Sequence, residues 1–410
     1  MKKLWNKNFK ISILGTFLSA LGGIGLNIAL GVVIYDQTQS TALSALFTAI
    51  SMIPNYVLPL VVGSYIDRQN PLKVLVRNEV TLAVIFMISG ITIYFTGFNY
   101  FIYLFITLII SSFGIVSELA GSNIIPQIMP REFYSQGNAI MSTIYPLCRF
   151  LVTPIAMFLF KNYGVAFIFI IYSVLTLLDA YIESKIDLEF EYDKRETEGF
   201  NIKEYTNDLK DAFNYLKKDK ALISVLIGFS FVMFTNGAST LLYPFFNQST
   251  ILNDSNYAML LSIQSLGYVF GGLIHYRFKI PDNKRFTVAL IVYITFSLTE
   301  GFFMFYPFAI MVATKFLLGI LGMNSANIRV SAVQHRVDHK VRAKINAFFS
   351  IAFVTMDMLG QLLAGALGEF IPLPYIQLGF NMVYFAIIFL IFYPKKNKVR
   401  ELYNYSTKTA

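Results

Sequence analysis

Apolar runs of eighteen or more residues recur from end to end of this 410-residue chain. Nothing else in the sequence restricts the fold as strongly. Hydrocarbon holds no water to satisfy backbone groups, so a spanning segment is a helix or a strand of a closed barrel. Barrel strands alternate apolar and polar residues, and these runs are continuous. Twelve crossings are expected, near 11–35, 42–66, 74–97, 100–124, 139–160, 164–184, 221–246, 257–276, 286–305, 308–330, 346–368 and 376–393. The first follows MKKLWNKNFK and precedes eleven more, so it reads as a retained helix and not a cleaved signal peptide. The composition agrees: 14% of residues are charged and mean hydropathy is +0.58, whereas soluble domains carry about a quarter charged residues.

Charge sets the expected orientation. With the N-terminus inside, the seven inner segments hold 29 of the 33 Lys and Arg residues. Arg149, Lys315 and Arg329 fall within spans, and Lys161 alone falls in an outer loop. This is the positive-inside pattern of a multi-pass protein of the cytoplasmic membrane with both termini in the cytoplasm. The +9 net charge then needs no nucleic acid: the basic residues anchor the topology and face anionic lipid.

The chain is expected to be an all-α polytopic membrane protein with twelve transmembrane helices in two six-helix pseudo-symmetric halves. The halves are 1–184 and 221–393, joined by a cytoplasmic linker over 185–220 and followed by a basic cytoplasmic tail over 394–410. Within the linker, Ile202, Tyr205, Leu209, Phe213 and Leu216 share one helical face, as in a helix lying on the membrane surface. A repeat appears at a shift of 208 residues: Gly63 falls on Gly271, Arg77 on Arg285, Gly114 on Gly322 and Asn138-Ala139 on Asn346-Ala347. Parallel repeats of six helices suit a secondary transporter with its site between the halves. No GxxxxGK[ST] phosphate loop is present, and His275, His335, His339 and Cys148 form no metal-ligand spacing. No enzyme activity and no cofactor are therefore expected.

The stretch Gly63-Ser-Tyr-Ile-Asp67-Arg68, followed by Lys73, resembles the loop 2–3 signature of the Major Facilitator Superfamily. YDQTQST, IIPQIMPREFYSQGNAIMS, DLKDAFNYLKKDKAL, NGASTLLYPFF and MLGQLLAGALGEF resemble segments of its macrolide-exporter and siderophore-exporter branch. Three departures stand out. Asn70-Pro71 replaces Gly-Arg in loop 2–3, the residues before Gly114 lack an Arg, and Thr153-Pro154 stands where the antiporter signature has Gly-Pro.

Loop 2–3 reads as a conformational gate of Gly63, Asp67, Arg68 and Lys73. Asp67 can cap a helix N-terminus, whose dipole favours an anion. Arg68 and Lys73 can pair with carboxylates or lipid phosphates, and Gly63 allows close helix approach. The alternative is a basic loop that only sets topology. Charges inside spans are costly, about 2.5–3.5 kcal/mol at a helix centre, and mark function or pairing. Arg149 and Asp357 occupy equivalent positions of the two repeats and are assigned to a transport pathway, with structural pairing as the alternative. Glu300 and Lys315 are near enough in depth to form a static ion pair, with a place on the substrate or proton pathway as the alternative, and Asp179 reads as structural. The resemblance implies that spans one, four, seven and ten line the cavity, which adds Asn27, Glu118, Asn123, Asn236 and Asn324.

These readings imply efflux of amphipathic small molecules, as in antibiotic resistance, by a monomeric proton antiporter working by alternating access. A dedicated exporter of a native metabolite such as a siderophore or lysolipid is one alternative, and a non-transporting sensor or scaffold is another. The orientation is directly testable. Single cysteines replacing Lys2, Gly199 and Lys408 should resist an impermeant thiol reagent in intact cells, whereas one at Ser249 should react. Labelling of Gly199→Cys from outside would overturn the topology.

Overall fold

Short polar residues stand where the apolar runs begin, and several cap the helices that follow. The structure, a computed structural model, describes residues 4–66, 69–188, 202–278, 280–338 and 341–405. Asn6 accepts from the Phe9 N–H at 2.8 Å, and Asn70, Asn99 and Asp219 cap in the same way. Asn253 and Asn256 form a reciprocal capping box. The first six helices are α1 (Lys7–Thr38), α2 (Thr41–Ser51), α3 (Pro54–Ile66), α4 (Pro71–Thr96), α5 (Tyr100–Ile128) and α6 (Tyr134–Glu183). Next come α7 (Ile202–Lys218), α8 (Lys220–Asn236), α9 (Leu242–Gln248), α10 (Asp254–Arg277) and α11 (Arg285–Phe302). The last four are α12 (Phe308–Arg336), α13 (Arg342–Leu367), α14 (Leu373–Ile387) and α15 (Lys396–Tyr403).

Among the described residues, ten helical segments are long and apolar enough to cross a membrane, against the twelve expected crossings. Two local features account for the difference. The second expected span is broken into α2 and α3 at Met52-Ile53, just before Pro54, which suits a helix start but not its interior. The fifth and sixth are continuous in α6, whose 50 residues would extend about 75 Å if straight, over twice the hydrocarbon thickness. Gly164, at φ 77° and ψ 175°, kinks it into two helices, in a conformation open to glycine and closed to most L-residues. Bulky aromatics at the α4–α5 turn remain exposed, among them Tyr94, Phe95 and Phe101, as in the aromatic belts of membrane proteins.

The chain forms two compact units, Met1–Gln39 with Ile50–Phe200, and Ser40–Ala49 with Asn201–Ala410. In the first, α1 and α4 both pack along α6. Its apolar core includes Phe9, Leu75, Ile124 and Ile128 at one end and Ile24, Cys148 and Val152 further along. In the second, α10 packs on α12, α8 on α13 and α11 on α14.

Two polar segments of the second unit are more tightly held than their composition suggests. The linker helix α7 is amphipathic as expected, yet Ala212 and Leu216 are buried in the unit's core beside Leu222 and Ile345. Phe213 stays 43% exposed and edges against Phe348. Part of the apolar face assigned to the membrane surface is therefore covered by protein. The C-terminal segment is likewise not a free tail. Its helix α15 buries Val399, Leu402 and Tyr403 in the same core. Asn404 accepts the Phe286 N–H at 2.9 Å, and Arg285 lies 4.4 Å over the Tyr405 ring.

The α10–α12 contact depends on glycine. A Cβ at Gly319 would lie 2.9 Å from Gly267 Cα, and one at Gly267 would lie 3.0 Å from Gly319 Cα. Each would also run into a carbonyl oxygen of the facing helix, Gln264 O and Phe316 O. Small residues allow membrane helices to approach this closely. Gly319→Val should destabilise the second unit by about 1–3 kcal/mol, as overpacking generally does. A lower melting temperature in detergent checks this; an unchanged one would show that the helices can separate freely.

Candidate functional site

Of the four gate residues, Asp67 and Arg68 lie outside the described residues. Gly63 lies in α3, and Lys73 is exposed in the first turn of α4. The departure Asn70-Pro71 has a local explanation. Asn70 Oδ1 accepts from the Leu72 N–H at 3.0 Å and the Lys73 N–H at 3.1 Å, and Pro71 occupies the first helical position, where its missing N–H costs nothing.

In the first unit the pathway candidates stay apart. Asn27 is exposed and donates to Gly23 O at 2.9 Å on its own helix. Glu118 is exposed on α5, and Arg149 is half-buried on α6. Neither side chain is engaged in a hydrogen bond or ion pair among the described residues. Asn123 is half-buried, and its carbonyl accepts from Gln127 at 2.8 Å.

The second unit gathers its candidates into three polar contacts. Asp357, half-buried on α13, accepts from Asn236 Nδ2 at 3.2 Å and from Gln361 Nε2 at 2.8 Å. The α8–α13 approach that makes this possible rests on Gly237 and Gly360, each seated against the other helix's backbone. Glu300 and Lys315 meet at 2.7 Å, both buried. Gln377 Nε2 donates to the Glu300 carbonyl at 3.1 Å, and the Lys315 ammonium lies 4.4 Å over the Phe303 ring. Asn324 donates to Gly271 O at 3.2 Å across α10 and α12, and its Oδ1 lies 3.2 Å from His275 Nδ1.

Several polar partners were not singled out from sequence: Gln361, Gln377, His275 and Glu369. An uncharged Gln or His in an apolar run gives no signal until its neighbour across the helix is known. Asp179 has company also missed in the sequence, since Glu79 and Glu183 are buried beside it. The Asp179–Glu183 spacing of four residues puts both on one helical face, which was the available clue.

Glu369, just past α13, does what Asp67 was expected to do. Its Oε1 accepts from the Ala42 N–H at 2.8 Å, Ser40 Oγ at 2.8 Å and Thr41 Oγ1 at 3.1 Å, at the N-terminus of α2. The Ala42 bond, with the two hydroxyls adding to it against a smaller effect of burial, holds the Glu369 carboxyl below its ordinary pKa. Thr41 Oγ1 also bonds Gly365 O at 2.7 Å.

The Major Facilitator Superfamily profile matches residues 12–251. An uncharacterised transporter of that type, YkuC of Bacillus subtilis (strain 168), is 22% identical over 281 residues, covering 65% of this chain and 62% of its own length. The chain thus spans under two thirds of that relative. A crystal structure of the nucleoside transporter NupG superposes with TM-score 0.64 at 15% identity, covering 96% of this chain and 100% of that one. A bacterial homologue of the human lysosomal transporter Spinster, inward-facing and unoccupied, superposes with TM-score 0.62 at 14% identity and 97% coverage of both chains. At these identities the likeness concerns the fold.

The Glu300–Lys315 pair yields a direct test. Removing one partner from a buried pair leaves an uncompensated charge and typically costs about 3–5 kcal/mol. Lys315→Met should therefore lower thermal stability sharply. Adding Glu300→Gln to it should recover most of the loss, because no buried charge then remains. Equal stability of Lys315→Met and the wild type would show that Glu300 finds another partner.

Proposed function

The chain belongs to the Major Facilitator Superfamily, and we propose that it is a secondary active transporter of the cytoplasmic membrane. It exports amphipathic small molecules in exchange for protons, in the manner of the macrolide-exporter branch that its motifs resemble. Both termini lie in the cytoplasm, and the protein acts as a monomer. Its two halves rock about a central site. The gate over Gly63 to Lys73 closes one face.

The observation that carries the proton coupling is Asp357. It is a carboxylate on a membrane-spanning helix, held by two amide side chains, with no cation within ion-pair distance among the described residues. An intramembrane carboxylate without a charged partner is a functional site by default. Neutral amides orient it without neutralising it, so a proton can come and go as its hydration changes. Glu118 is the second carboxylate on a pathway helix. Asn27, Asn123, Asn236 and Asn324 supply polar contacts among apolar and aromatic side chains, the mixture that adaptable small-molecule pockets use.

One observation favours a second reading. The Arg149 guanidinium is unpaired among the described residues and half-buried in a spanning helix. A free cation there suits an anionic native metabolite, a siderophore or lysolipid, better than a cationic drug. In proteoliposomes, competition between an anionic and a cationic substrate separates the two, and absence of any flux would favour a sensor or scaffold.

Asp357→Asn keeps size and removes charge. It should reduce uphill transport driven by a pH gradient by about tenfold or more, the equivalent of about 1.4 kcal/mol. Substrate-for-substrate exchange, which needs no net protonation, should persist. A well-folded Asp357→Asn protein that still concentrates substrate would remove Asp357 from the coupling and leave Glu118→Gln as the variant to assay.

A further inference from the structure

Glu79 of α4 and Asp179 and Glu183 of α6 converge inside the first unit beside Gly15 of α1. Each offers a carboxylate oxygen, and the three oxygens lie within 4.8 Å of one another. The residues are 6%, 2% and 7% exposed. A buried carboxylate is ordinarily neutralised by a cation or satisfied by donors. Here no cation partner is present among the described residues, and one oxygen of each acid lacks a donor. Glu79 Oε2, Asp179 Oδ1 and Glu183 Oε2 are buried with no hydrogen-bond partner, and no ion pair reaches any of the three acids. The basic residues nearest in sequence, Lys7, Lys10, Lys73, Arg77 and Lys185, are all exposed.

Glycine lets two of the acids pack against α1. A Cβ at Gly15 would lie 2.5 Å from Glu183 Oε1 and 2.7 Å from Asp179 Oδ1. Two carboxylate oxygens from α6 thus sit at the α1 backbone, and Glu79 approaches them from α4. Gly15 is eight residues into α1, about 12 Å along the axis from the helix start. Asp179 and Glu183 lie in the last two turns of α6. The cluster therefore lies one to three turns from the end of the unit that carries the N-terminus.

Three carboxylates from two helices, buried together with an oxygen of each lacking a donor, indicate the ligand. Hard divalent cations take carboxylate oxygens at about 2.0–2.6 Å, so oxygens on opposite sides of such an ion lie about 4–5 Å apart. Oxygens without donors are what such an ion requires. We propose that Glu79, Asp179 and Glu183 form a buried site for one divalent cation of the oxygen-preferring class, such as Ca²⁺ or Mn²⁺, with water completing its coordination. By tying α4 to α6 across the foot of α1, the ion makes the packing of this end depend on its supply.

The proposal does not rest on what the protein transports, because binding is measured without flux. The probes are Ca²⁺, by equilibrium dialysis, and Mn²⁺, by its EPR signal, with the full chain in detergent. About one saturable ion per chain is expected, with a higher melting temperature when it is bound. Glu79→Gln and Asp179→Asn should each weaken binding by about tenfold or more. If either variant fails to fold, Glu79→Asp keeps the charge on a shorter arm and should weaken binding with the fold intact. No saturable binding of either metal to the wild type would mean that protons alone neutralise the acids, and would overturn the site. Binding that survives all three substitutions would lie elsewhere on the protein and overturn it equally.

Discussion

Water is missing from the middle of every span, so a polar side chain there must be satisfied by its own helix or by a neighbour. Much of the interior follows from that. Asn78 of α4 donates to Phe113 O and Ser117 Oγ of α5, both at 2.8 Å. Ser173 of α6 donates to Ala83 O of α4 at 2.7 Å. Thr153 bonds back to the Arg149 carbonyl on its own helix. Each interhelical bond fixes a register that apolar packing alone would leave free to slide, because side chains against lipid and side chains against protein are almost equally content.

Close approach is the second consequence. Where hydrophobic burial cannot drive helix association, dispersion and short polar contacts must do it, and both need backbones near each other. Gly267 and Gly319 bring α10 onto α12, and Gly237 and Gly360 bring α8 onto α13. The second contact places Asn236 and Gln361 around Asp357. The polar geometry of the second unit thus rests on residues with no side chain. Asn324 shows the same coupling, since its bond to Gly271 O crosses a glycine-lined seam.

The acids divide by how the rule is met. Glu300 meets it with Lys315 and Gln377, and Glu369 meets it with backbone and hydroxyl donors at a helix start. Asp357 meets it with neutral amides only. Glu79, Asp179 and Glu183 do not meet it among the described residues. A carboxylate fully engaged with donors and a cation is fixed in one protonation state; one held by amides, or by nothing, is open to a mobile cation.

The sequence by itself determined that the chain is helical and crosses the membrane many times, and its motifs pointed to the Major Facilitator Superfamily. The first two properties follow from runs of apolar residues, which are local and additive along the chain. It also placed Glu300 and Lys315 at matching depth, because rise per residue converts position into depth. Tertiary structure alone decided which side chains meet. Asp179 looked solitary until Glu79 arrived from α4, a hundred residues earlier. That Ala212 and Leu216 of the linker helix and Tyr403 of the basic C-terminal segment are buried against protein shows only in the fold. The twelve expected crossings and the ten long apolar helices differ where Gly164 interrupts one helix and where α2 gives way to α3 before Pro54. In each case the deciding quantity is rotation and contact between helices, and that depends on the neighbours a residue acquires only when the chain is folded.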